Sequence, residues 1–229
     1  MRRPLDPAHL VRLPSLEVAA SLLGWRLVRD DGAGRRVGRI VELEAYIGET
    51  DQASHSRFGR TARNEVMYGP PGRAYVYLVY GMHDCLNIVT EPTGTPAALL
   101  VRAVEPIEGA SLMREARTRR TSTRRRATPP AHASDRVVRP SAIVTDRLAA
   151  GPGLVCAAFD LDRSLTGADL FDPAATVRIE PPAPDEPEPG IVVGPRVGIG
   201  YAGAPWATVP WRFSIAGNRS VSRPAPSAG

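Results

Sequence analysis

Residues 39–102, RIVELEAYIGETDQASHSRFGRTARNEVMYGPPGRAYVYLVYGMHDCLNIVTEPTGTPAALLVR, constrain this chain more than any other stretch. One continuous segment carries a carboxylate, a histidine, several tyrosines, an asparagine and two arginines, Arg57 and Arg60, suited to meeting phosphates. That mixture fits a site that holds a flat aromatic ligand beside a nucleophile. Side chains alternate along a strand, which puts Ile40, Glu42 and Glu44 on one face and Val41, Leu43 and Ala45 on the other, the face fit for burial. Glu44 then stands at a strand end. Taken alone, such an acid reads most simply as an edge charge facing water.

The flanking sequence supplies punctuation for a mixed fold. Ser15 precedes Leu16, Val18, Ala19, Leu22 and Leu23, a helical spacing with a candidate N-cap and with Gly24 as the stop. Residues 25–29 read as a strand and 30–34 as the turn back into the strand that ends at Glu44. Residues 48–74 are rich in turn formers, so His55, Arg57, Arg60, Arg63 and Asn64 fall on an irregular loop. Tyr75 to Tyr80 is a strand with Tyr75, Tyr77 and Val79 on one face and Val76, Leu78 and Tyr80 on the other. Gly81, Met82, His83 and Asp84 turn it into a second strand, which places Tyr80 at the tip of a hairpin. A further apolar strand spans 97–104, a helix follows over 106–117, and a short helix follows Gly153. The stretch 180–190 is a proline-rich acidic loop, and strand character resumes over 191–200.

Charge is unevenly spread. The net charge is +5, yet residues 114–149 hold ten Arg against Glu115, Asp135 and Asp146, so the rest of the chain is slightly acidic. From 118 to about 145 the sequence dissolves into Arg, Ser, Thr, Ala and Pro, too little apolar surface to offset chain entropy, and a disordered Arg-rich insertion is expected there. The tail from 224 to 229 is expected to fray. All 29 basic side chains are Arg, because the chain has no lysine. Two cysteines, Cys85 and Cys156, make a disulfide scaffold improbable and a reducing cytoplasm the default. Residues 16–23 contain Glu17 and are too short to span a bilayer, and no signal-peptide pattern is present.

Several chemistries lack their motif. His55, His83 and the cysteines have no metal-ligand spacing, no GxSxG elbow marks a hydrolase nucleophile, and GPG and GIG are not phosphate loops. The tyrosines read as strand formers in a half-buried sheet, or as platforms on which nucleobases stack.

The blocks VELEAYIGETDQASHSRFGRTARNEVMYGPPG, YVYLVYGMHDCLN and LLVRAVEP resemble the signature blocks of the alkyladenine (3-methyladenine, methylpurine) DNA glycosylases. GPGLVC, RVGIGYAG, PWRF and GNRSVSR resemble that family's later blocks in the same order, so the likeness runs from about residue 10 to 223. It implies a single-domain α+β fold, with a curved antiparallel sheet, surrounding helices and a protruding hairpin. It also implies a monomer acting on damaged purines in duplex DNA at the nucleoid, without metal or cofactor. By position, Glu44 matches the base that activates water, with Arg102 and the backbone of Ile199 beside that water. Tyr46, His55 and Tyr77 match the walls around an extruded purine, and Asn87 the side chain that crowds a guanine amino group. Tyr80 matches the residue that fills the gap left in the helix, with Met82, Arg57 and Arg60 as further DNA contacts. Leu154 and Ala157 depart from the pattern, standing where the family commonly has Lys and Gln. Two rivals stay open: a non-catalytic nucleic-acid-binding module, in which Glu44 only caps a strand, and a hydrolase of free nucleosides.

Overall fold

The computed structural model describes residues 12–127 and 144–223. The lead-in, the stretch 128–143 and the tail 224–229 lie outside the described residues, so the expectations placed on those stretches fall there as well.

Among the described residues three helices surround one antiparallel sheet. In chain order these are α1 (Ser15–Leu22), β1 (Arg26–Asp31), β2 (Gly34–Ile47), β3 (Ala74–Val79), β4 (His83–Val89), β5 (Ala97–Glu108), α2 (Ala110–Ala127), α3 (Pro152–Phe159), β6 (Val177–Glu180), β7 (Ile191–Gly194) and β8 (Arg212–Ile215). The main path runs β3-β4-β5-β2-β1-β6, with β8 pairing both β2 and β7. Strand β6 leads into the proline-rich stretch expected as a loop, and β7 covers only the first four residues of 191–200, which read as a longer strand.

Strand β2 organises the sheet by changing partners along its length. Its first half pairs β1 from Arg39 back to Gly34, whereas Glu42, Leu43 and Glu44 pair Ser214, Phe213 and Arg212 of β8. Strand β5 flanks it from Val37 to Ile47, but the register slips at Val37/Gly38, between Ile40 and Glu42 and again between Glu42 and Leu43. Such bulges re-aim side chains and increase local twist. The even alternation expected for residues 40–45 therefore fails. Ile40 joins Leu43 and Ala45 in the main core, while Val41 packs apart, with Ala103 and Val221.

The main core is filled from one side of the sheet by Val18 and Leu22 of α1 and by Val155 and Phe159 of α3, against Leu43, Val76, Ile88 and Leu99. Gly38 is required here, since a Cβ would lie 2.4 Å from Val104 Cγ1 and 3.0 Å from Phe159 Cζ. Both cysteines are buried free thiols.

Two local expectations change. Ser15 is the first residue of α1 rather than its cap. Its N–H and hydroxyl both donate to the Glu91 carboxylate at 2.7 Å, so the orphan amide is satisfied from 76 positions away. Residues 118–127 continue helix α2 instead of dissolving. Long-range bonds supply what composition lacks: Arg117 donates to the carbonyls of Arg147 and Leu148, and Arg119 and Arg120 pair with Asp160. No described helix is long and apolar enough to cross a membrane.

Candidate active site

Glu44 is fully buried, which overturns the reading of an edge charge facing water. It lies within β2, three positions before the strand's end, where β8 has replaced β1 as neighbour. Four groups surround its carboxylate. Arg102 Nη1 from β5 donates to Oε2 at 3.2 Å, and the Tyr46 hydroxyl donates to the same oxygen at 2.9 Å. The Val197 amide donates to Oε1 at 2.6 Å. Glu42, on the same strand, shares Arg102 with it. Burial drives the Glu44 proton affinity above that of an ordinary carboxyl, and the repulsion of Glu42 adds to this. Arg102, the Val197 amide and the Tyr46 hydroxyl oppose it without cancelling it.

A second buried pair supports the first. Arg196 donates to Asp51 at 2.5 and 2.9 Å and to the Ala45 carbonyl at 2.9 Å, with both side chains wholly inaccessible. Its guanidinium lies 4.7 Å from the Tyr46 ring centroid and 5.0 Å from that of Trp211. Arg196 precedes Val197, so one residue anchors both the amide that holds Glu44 and the ring beside it. Sequence reading passed over Arg196 and Asp51. The only local signal was the acid in a turn-rich loop.

Beside this floor opens a cleft lined by Tyr46, His55, Tyr75, Tyr77, Asn87, Met67 and Tyr201. Tyr75 and Tyr77 share the face expected for them and pack 5.4 Å apart, with His55 edge-on to Tyr77 at 4.3 Å. His55 Nδ1 meets the Tyr75 hydroxyl at 3.0 Å. Burial, then the charges of Arg63 and Arg57, lower the His55 pKa to about 4, so the ring is neutral at pH 7. The Asn87 amide donates to the carbonyls of Tyr75 and Cys85 at 3.0 and 3.3 Å, which fixes its orientation. The loop that read as irregular is tied down by Asn64. Its amide donates to the carbonyls of His55 and Gly59 and accepts from the Thr61 N–H at 2.6 Å. This holds a short 3₁₀ turn, His55–Phe58, against the cleft.

The hairpin of β3 and β4 carries Tyr80 at its tip, 87% exposed. Tyr80 lies in the turn rather than in the strand, and the turn is centred on it. Tyr80 and Gly81 both have positive φ, 52° and 66°, and the Met82 N–H donates to the Val79 carbonyl at 2.9 Å. Two successive left-handed residues are what a type I′ turn uses, and a tyrosine in the first place is strained where Asn would be relaxed. Met82 is half-exposed, while Phe58 and Tyr201 project from the rim at 81% and 67% exposure. Arg57 lies over both of these rings, at 4.6 and 5.6 Å, and donates to the Gln52 carbonyl. Arg60 is exposed and paired with Glu65. The two arginines expected to act alike are therefore in different electrostatic states. Next to the hairpin turn Gly153 packs on the His83 ring, where a Cβ would lie 3.0 Å from His83 Cβ.

Ile199 is buried in the segment that follows Val197, and its carbonyl accepts from the Ala202 N–H at 2.9 Å. The backbone amide that contacts Glu44 is that of Val197, two residues earlier. No group of three or more His, Cys, Asp or Glu among the described residues forms a metal cluster.

The model of the methylpurine-DNA glycosylase family matches residues 9–219. A protein of Methanocella arvoryzae assigned as a 3-methyladenine DNA glycosylase is 44% identical over 223 residues, 97% of this chain and 98% of that one. One of Anaeromyxobacter dehalogenans with the same assignment is 46% identical over 215 residues, 91% and 82% of the two chains. The human DNA-3-methyladenine glycosylase is 40% identical over 224 residues, 93% of this chain and 69% of its own. With a match across nearly its whole length, this chain belongs to the methylpurine-DNA glycosylase family.

Proposed function

We propose that the protein hydrolyses the N-glycosidic bond of alkylated or deaminated purines in duplex DNA, with water activated by Glu44. The observation that carries this reading is a carboxylate fully buried, oriented by Arg102, the Val197 amide and the Tyr46 hydroxyl, next to an aromatic cleft. A base can reach such a cleft only by leaving the stack. Tyr80 fills the gap, Tyr46, His55 and Tyr77 receive the purine, and Asn87 crowds a guanine amino group. A neutral His55 avoids repelling a cationic alkylated base, and the electron-rich rings attract it. Sugar positive charge developing as the bond breaks is stabilised by Glu44, which also takes a proton from the attacking water. Its raised proton affinity makes it a better base than an exposed carboxylate.

Arg102 holds the Glu44 carboxylate in place, and the segment from Val197 to Ile199 supplies the backbone wall of the water site. Arg57 and Met82 extend the contact to DNA along the rim, and the protein acts as a monomer without cofactor. Against a binding-only module stands the burial of Glu44 beside the cleft, since a strand cap needs no such burial. Against a free-nucleoside substrate stands the exposed, strained tyrosine of the hairpin, which a small substrate does not need.

With no lysine in the chain, the amine that bifunctional glycosylases use to form a Schiff base is missing from the side chains, so the abasic site stays intact. The test is incubation with a duplex carrying one hypoxanthine or ethenoadenine. Free base and strand breaks that appear only after alkali are expected, with no borohydride-trapped adduct. Binding without base release, or release from free nucleosides alone, overturns the reading.

A further inference from the structure

Glu42 is as deeply buried as Glu44, and neither carboxylate lines the cleft, but Glu44 accepts from the cleft residue Tyr46 whereas Glu42 is bonded away from it. Its Oε1 accepts from Arg102 Nε at 3.1 Å and from Arg212 Nη1 at 3.2 Å, and its Oε2 accepts from the Ser222 amide at 2.7 Å. The decisive geometry is that of Arg102. Each of its three guanidinium nitrogens is bonded to a different group: Nε to Glu42, Nη1 to Glu44 at 3.2 Å, and Nη2 to Ser222 Oγ at 3.2 Å. A planar group fixed at three corners cannot rotate. Replacing the charged partner at one corner by a neutral amide weakens that hold and lets the fork turn onto a single carboxylate, the arrangement guanidinium prefers. The fork would then lie across the oxygens with which Glu44 must meet water.

We propose that Glu42 is a positioning residue for the reaction, pinning Arg102 by Nε so that only one of its N–H groups reaches Glu44, and tying the C-terminal segment at Ser222 to that pair. The inference rests on Glu44 being the base. Buried ion pairs are weak devices for stability, because desolvation offsets their attraction, so the gain from a second buried carboxylate lies in geometry and charge balance. With Glu42 the cluster of two glutamates and two arginines, Arg102 and Arg212, is neutral; without it the balance around Glu44 is positive. The other charged or titratable groups near Glu44 are Tyr46, Tyr77 and Arg196, the last neutralised by Asp51. None of them takes over the bond to Arg102 Nε.

The experiment measures single-turnover release of ethenoadenine from a duplex across acidic to alkaline pH, for the wild type, Glu42→Gln, Glu42→Asp and Glu44→Gln, with duplex affinity measured alongside. For Glu42→Gln the expected plateau is about tenfold lower, the scale of one hydrogen bond to a charged group. Its acid limb should move to lower pH, because a negative charge beside Glu44 has gone, with duplex affinity unchanged. A wild-type plateau, or a lowered plateau whose acid limb has not moved, overturns the proposal. If Glu42→Gln fails to fold, Glu42→Asp carries the test: it keeps the charge but withdraws the carboxylate, so a lower plateau with an unmoved limb is expected and a wild-type plateau overturns it. An inactive Glu44→Gln beside a wild-type Glu42→Gln removes this inference alone. An active Glu44→Gln removes the base on which it rests.

Discussion

At the floor of the cleft Glu42, Glu44, Asp51, Arg102, Arg196 and Arg212 are each at most 8% exposed, whereas at the rim Phe58, Tyr80 and Tyr201 are 67% exposed or more. Every charge on the floor is held by partners distant in sequence, and removing Glu42, Asp51, Arg102 or Arg196 leaves another charge buried without its ion-pair partner. The rim side chains touch little of the protein, and one of them sits in a strained turn. A rigid, desolvated floor suits a task in which charge must develop at a fixed place. An exposed rim suits a task that begins only when a large partner arrives. The two regions should therefore answer mutation with different signatures: stability and rate at the floor, base extrusion and affinity at the rim.

The largest effect on stability is expected at Arg196. Replacing it with Ala leaves Asp51 buried without its charge partner, which typically costs about 3–5 kcal/mol, and urea denaturation measures it. A loss well under about 1 kcal/mol, the scale of exposed pairs, would break the comparison. At the rim the expected signs are opposed. Tyr80→Ala should weaken flipping of an ethenoadenine probe by about 1–3 kcal/mol, the scale of base stacking. Tyr80→Asn should weaken it too, yet raise folding stability by about 1 kcal/mol because Asn accepts the left-handed conformation. Equal flipping with and without the ring would remove the plug role.

His55 gives a pH signature between the two regions. Its ring takes a proton near pH 6.5 in the unfolded chain and only near 4 in the folded one. Its contribution is fully present above pH 6.5 and is lost as pH falls towards 4. His55→Gln should flatten the dependence of stability on pH in that window, and an unchanged slope contradicts the neutral ring. The smallest effect belongs to Arg60→Gln, with little change in stability or in DNA affinity, since Glu65 already neutralises it at the surface. Arg57→Gln, which removes a guanidinium that meets rings and a carbonyl, should instead reduce the slope of log affinity against log salt by about 0.9 for one phosphate contact. Equal slopes for the two variants would erase the distinction between them.

What the sequence made legible was whatever depends on neighbours along the chain. The alternation of Tyr75, Val76 and Tyr77, the hairpin that exposes Tyr80, and the ordered blocks around Glu44 all follow from local pattern. What it hid depends on contacts between distant positions. Glu42 looked like a second solvent-facing acid because Arg212 and Ser222 lie 170 and 180 residues away. The bulges at 40–43 are set by β5 and break a periodicity that β2 alone displays. Helix α2 runs past residue 118 because Asp84, Asp160 and Leu161, none of them in the helix, receive Arg120.

The central claim is that Glu44, on the floor, is the base of the reaction while binding belongs to the rim. It is tested most directly by Glu44→Gln, which keeps the shape of the side chain and removes its charge. In single-turnover reactions on a duplex with one ethenoadenine, this variant should release base about 10³-fold more slowly than the wild type, within the range of general-base catalysis, while binding the same duplex with unchanged affinity. Release at the wild-type rate would contradict the account, and so would a loss of duplex binding that explained the slower release.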